Sequence, residues 1–186
     1  MCIRDRLHQP ITDALALKGI SMIAENLEKA YENGEDREAR RNMMIASTIG
    51  GMAFISSNVG AVHAFAETVG AWFDTPHGVA NSLFLPYIME FNIPACPERF
   101  ADIADAMGIE REESMSDEQY ALKAVEYVKA LNRKLNIPTI KEIKGITEER
   151  FEAIAERSAN NVLSNDNARK ITKEDYLELL KKAYNE

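Results

Sequence analysis

At 186 residues, the chain can form one domain with a real core or be part of a larger protein. Its formal charge of −8, with no basic stripe, argues against a nucleic-acid surface, and no apolar run reaches the length of a membrane span. Two cysteines, Cys2 and Cys96, make neither a disulfide framework nor a CxxC pair, which points to a reducing cytoplasm, and the charged opening MCIRDRLHQP is unlike a secretory signal.

In chain order, residues 1–8 read as a non-native or unrelated leader, and 9–186 as one helical domain. From Thr12 to about Asn33, apolar residues such as Leu15, Ile20, Ile23 and Leu27 recur near helical spacing, and Gly34 stops the run. Asp36 is positioned to cap a second helix running through Met43, Met44, Ile49, Met52 and Phe54. Its Ala46, Ser47, Gly50, Gly51 and Ala53 suggest close packing against another helix, and the methionines suggest core filling.

A third helix is expected over Gly60 to Phe73, then a break at Asp74-Thr75-Pro76-His77-Gly78, then a fourth helix to about Phe91 with Pro86 inside it. Pro97 suits the first turn of a fifth, which Gly108 ends. Ser116 and Gln119 form a capping box for a helix reaching Leu135. Thr147 opens a helix carrying Phe151, Ile154 and Ala155, and Thr172 with Asp175 opens the last. No segment alternates with period two for long, and there is no GxGxxG or P-loop. The expected fold class is all-α, with about eight helices whose short links favour antiparallel neighbours.

The chain has three histidines, His8, His63 and His77, and two of them sit in its least ordinary stretch, GAVHAFAETVGAWFDTPHGVANSLFLP. His63 and Glu67 are four apart and share one helix face. A turn at Pro76-His77-Gly78 would bring His77 back toward His63. Two imidazoles and a carboxylate suit a divalent metal such as zinc or iron. Read from the residues alone, a histidine beside apolar residues such as His63 is more often a hydrogen-bonded core histidine than a ligand, and Asp74 fits a turn or cap.

The stretch Gly60-Ala61-Val62-His63, Gly70, Pro76-His77-Gly78-Val79-Ala80-Asn81, Leu85-Pro86 and Met89-Glu90-Phe91-Asn92 resembles the signature of iron-containing (group III) alcohol dehydrogenases. The likeness extends to Pro10 through Leu17, to Gly51-Met52-Ala53-Phe54, and to Asn167 through Thr172, so that it covers about Gln9 to Glu186. The resemblance implies the helical C-terminal half of a two-domain fold shared with dehydroquinate synthase. It makes His63 and His77 metal ligands for Fe(II), Zn(II) or another divalent ion. It sets Phe54 near the substrate, a small alcohol or aldehyde. It also implies an N-terminal α/β domain, missing here, that binds NAD or NADP, and a homo-oligomer when complete.

Two departures stand out. The family's other ligands, an Asp and a His four residues apart, precede the segment matching Pro10 and have no counterpart here; His8 lies too close to Pro10 to be that histidine. Glu67 stands where the family often has a second histidine near the nicotinamide, so it can relay a proton, approach the metal or solvate the site. The expected function is metal-dependent hydride transfer between an alcohol or aldehyde and NAD(P), with this chain inactive by itself. The alternatives are a non-catalytic helical binding or assembly module and a metal-dependent lyase or synthase on the same fold.

Overall fold

The computed structural model describes residues 9–186, except for the side chain of Ser56; the expected leader, with Cys2 and His8, lies outside the described residues. Among the described residues there are eight α-helices and no strand, in agreement with the all-α expectation. They are α1 (Pro10–Glu32), α2 (Arg37–Ser57), α3 (Ala61–Phe73), α4 (His77–Asn92), α5 (Pro97–Ala106), α6 (Asp117–Lys134), α7 (Phe151–Ala159) and α8 (Lys173–Asn185). None is long and apolar enough to cross a membrane.

Local chemistry sets many of the ends. Asp36 accepts from the Ala39 N–H at 2.9 Å and caps α2. Ser116 and Gln119 satisfy each other's backbone N–H, at 3.0 and 3.2 Å, ahead of α6. Thr172 and Asp175 form the same reciprocal pair at α8. Pro10 and Pro97 occupy first turns, where a missing N–H costs nothing, so α1 starts two residues before the periodic pattern suggests. Gly108, at φ +75°, supplies the left-handed turn after α5, with the Ile109 N–H closing back on Ala104 O at 3.1 Å. Thr147 opens a short 3₁₀ turn, Glu148–Arg150, which runs into α7.

Contacts group the chain into two compact units, one comprising residues up to Asn58 with Ile93–Tyr127, the other Val59–Asn92 with Val128–Glu186. In the first, α1 packs on α2 and α5. Here two expectations are corrected. Ala46 and Ala53 are buried, but a Cβ added at Gly50 or Gly51 would meet no described atom within 4 Å. The packing of α2 on α1 runs through Ala46 rather than the glycine pair, and a Cβ added at Gly19 of α1 would sit in ordinary contact, 3.6 Å from Ile49 Cγ2 and 3.8 Å from Ala46 O. The buried hydrophobic residues of α2 are the alanines at positions 39, 46 and 53, with Ser57 buried at its end. The larger residues turn the other way. Met44 is 70% and Met52 55% exposed, so neither fills the core.

The second unit holds the candidate site. Its core runs through α3, α4, α7 and α8, centred on Phe65, which is wholly buried, stacked on Phe84 at 4.2 Å and edge-on to Tyr176 at 4.6 Å. Pro86 lies inside α4, as expected, and cannot donate to the carbonyl of Ser82 one turn back. The Asn132 side chain donates to that oxygen at 2.7 Å, so the proline leaves no buried acceptor unmet.

Candidate metal centre

Burial sorts the faces of α3. Ala61, Val62, Ala64, Phe65, Ala66, Thr68 and Val69 are buried, while His63, Glu67 and Gly70, spaced four and three apart, line a less buried side. The helix is fixed at its start, where Asn167 Oδ1 accepts from the Ala61 N–H at 3.4 Å while pairing reciprocally with the Asn92 amide at 3.1 and 2.7 Å. A buried Ser158-to-Thr68 hydroxyl bond at 3.2 Å ties its middle to α7.

The turn after α3 delivers the second histidine. Asp74 takes a left-handed conformation at φ +50° and reverses the chain. Thr75 then passes so close to α3 that a Cβ on Gly70 would lie 3.2 Å from its carbonyl oxygen. Gly70 is thus the residue that lets this turn fold back. His77 becomes the first residue of α4, so the break is shorter than the sequence pattern suggests. The Ala80 N–H reaches Pro76 O at 3.0 Å, which starts the helix one residue after the proline.

As a result the His63 and His77 rings converge, with centroids 5.3 Å apart and planes tilted by 51°. His63 Nδ1 is buried and has no hydrogen-bond partner. Burial, with a further push from His77 that outweighs the pull of Glu67, lowers the His63 pKa to about 4. At neutral pH its imidazole is uncharged and carries a free lone pair, the state a divalent ion requires. The His77 ring meets its own helix instead: Asn81 Nδ2 lies 3.1 Å from Nε2 and 2.9 Å from the His77 carbonyl oxygen.

Glu67 is exposed and takes a 2.7 Å hydrogen bond on Oε2 from Asn161, a residue 94 positions away whose own Oδ1 caps the Leu163 N–H. Phe54 lies near the end of α2 in the other unit and is about half exposed. Among the described residues, no three of His, Cys, Asp and Glu converge as a metal site, so the centre offers two imidazole donors. Two neighbours were given no role from sequence, Asn81, which stands within the quoted motif, and Asn161. Asn81 had a local signal, since it stands one helical turn from His77. Asn161 had none.

A family model for the Fe-containing alcohol dehydrogenase family, C-terminal, matches residues 5–184. The chain belongs to the iron-containing alcohol dehydrogenase family. Over 178 residues it is 40% identical to alcohol dehydrogenase 4 of Saccharomyces cerevisiae, covering 94% of this chain and 44% of that protein. It is 38% identical over 175 residues to the 1,3-propanediol dehydrogenase of Citrobacter freundii, covering 94% and 45%. The solved structure of an alcohol dehydrogenase from Oenococcus oeni superposes with a TM-score of 0.91 at 39% identity, over 96% of this chain and 46% of that one. The chain thus spans a little under half the length of these proteins. The likeness to solved helical domains agrees with the fold expected from sequence.

Proposed function

We propose that this chain is the metal-holding part of an NAD(P)-dependent alcohol dehydrogenase, with His63 and His77 as two of the ion's ligands. The observation that carries the reading is the convergence of the two rings at 5.3 Å with an unpartnered, neutral nitrogen on His63. The donor set fits iron(II), zinc or a similar borderline ion, whose second coordination half would come from outside these residues. When bound, such an ion supplies Lewis-acid polarisation of the substrate oxygen.

The residues of this chain set the conditions. The packed side of α3, with Phe65 behind it, keeps water from one flank of His63. Gly70 and the Asp74 turn hold His77 opposite. As an alcohol becomes an aldehyde it loses a hydride to the nicotinamide and a proton. Glu67 receives that proton on its carboxylate, which the Asn161 hydrogen bond to Oε2 orients. Phe54 is proposed, on the resemblance alone, as an aromatic neighbour of the substrate. The substrate class is a small primary or secondary alcohol or the matching aldehyde or ketone, the compartment is the cytoplasm, and the nicotinamide is held by an N-terminal α/β domain.

Calorimetric titration of the 186-residue chain with Fe(II) or Zn(II) tests the centre. With two protein ligands, binding is expected to be weak and to disappear in His63→Ala and in His77→Ala. Tight one-to-one binding that neither substitution alters would sink the proposal. Fusion of a relative's N-terminal domain ahead of Pro10 is expected to give chelator-sensitive cofactor reduction, and Glu67→Gln in that fusion to slow turnover without loss of metal.

A further inference from the structure

Asn81 stands one turn past His77 on α4, and its amide has two neighbours, the His77 carbonyl oxygen at 2.9 Å and the His77 ring Nε2 at 3.1 Å. A carbonyl oxygen can only accept, so the atom facing it must be the amide nitrogen, and the orientation of the Asn81 side chain is settled by its own helix. The nitrogen carries two hydrogens. One goes to the carbonyl, which leaves the other for Nε2.

A neutral imidazole has one lone pair and one N–H. With Nε2 accepting from Asn81, the ring proton sits on Nδ1, and the lone pair engaged by the amide is the only one that His77 can give to a metal. We propose that Asn81 is a placeholder at the metal centre, its amide competing with the ion for the His77 lone pair and lowering the affinity of the site. This rests on the reading that His63 and His77 hold a divalent ion.

The asymmetry of the centre supports it. His63 Nδ1 is buried with no partner, whereas the His77 lone pair is already taken. Asn81 is also not needed elsewhere: its Oδ1 is buried and has no hydrogen-bond partner among the described residues. Removing the side chain therefore takes away an unmet acceptor and creates none. The two hydrogen bonds that it makes both end on His77. An asparagine that served only to orient the ring would behave oppositely, since its loss would loosen His77 and weaken metal binding.

The test is a Co(II) titration of the full 186-residue chain, read by calorimetry and by visible ligand-field absorption, for the parent chain and for Asn81→Ala, Asn81→Asp, His63→Ala and His77→Ala. Asn81→Ala is expected to bind Co(II) about two- to tenfold more tightly, the range a single neutral hydrogen bond commands. Asn81→Asp removes the competing N–H and adds an anionic oxygen, so it should bind more tightly still. Far-ultraviolet circular dichroism checks the fold of each variant, and Asn81→Ser is read in place of any that fails to fold. Unchanged or weaker binding in the Asn81 variants, with binding lost in the histidine variants, overturns the placeholder while leaving the metal centre intact. Binding undiminished in both histidine variants overturns the centre itself.

Discussion

Phe65→Ala offers the sharpest test of how the core holds the two histidines in place. Phe65 is wholly buried on α3, two residues after His63, and its ring stacks on Phe84 of α4 with a 14° interplanar angle and meets Tyr176 of α8 edge-on at 89°. Truncating a buried phenylalanine to alanine costs about 3–5 kcal/mol. Two aromatic contacts of about 0.5–1.5 kcal/mol each argue for the upper half of that range. The cavity would open between α3 and α4, the helices that carry His63 and His77, and relaxation into it would change the distance between the rings. Urea unfolding should therefore show a loss of about 4–5 kcal/mol, by the same bookkeeping. If the variant retains enough folded protein for titration, its Co(II) affinity should fall as well. Phe65→Leu should lose roughly half as much stability, since it keeps most of the volume. A loss below about 2 kcal/mol for Phe65→Ala would refute the reasoning, because it would mean that the site collapses at little cost.

Two further outcomes follow from individual residues. Gly50→Ala and Gly51→Ala should each stabilise the chain by about 0.5–1 kcal/mol, since both glycines lie inside α2 and a Cβ meets no described atom; a drop in melting temperature for both would show a close neighbour that the fold does not reveal. His63 titrates near 4 when folded against 6.5 for a free side chain, so between those values the unfolded chain binds the proton and the folded one does not. Stability is therefore full above pH 6.5 and declines as the pH falls toward 4, by about 1–2 kcal/mol once partial exposure of the ring is discounted. Urea unfolding at several pH values, set against His63→Asn, checks this, and identical slopes in the two proteins would refute it.

The sequence by itself determined where most helices start and stop, and it singled out the stretch that holds His63 and His77. Asp36, Ser116 with Gln119, and Thr172 with Asp175 act on N–H groups three residues away, so their effect is readable without a fold. The same holds for prolines at first turns and for Gly108. His63, His77 and the motif around them were legible for a different reason, since residue types at fixed spacing within one stretch are what a family signature records. The tertiary structure alone decided what those residues meet. Two rings 14 positions apart in sequence converge because Asp74 reverses the chain and Gly70 admits the Thr75 carbonyl. Glu67 finds Asn161 across 94 positions and the Ser82 carbonyl finds Asn132 across 50, pairings that only packing creates. The glycines tell the same story: Gly70 is pressed by the Thr75 carbonyl while the conspicuous pair at Gly50 and Gly51 faces open space. Helix caps are short-range hydrogen bonds, so sequence specifies them. Which faces touch depends on how whole helices fill space against one another, and no local pattern fixes that.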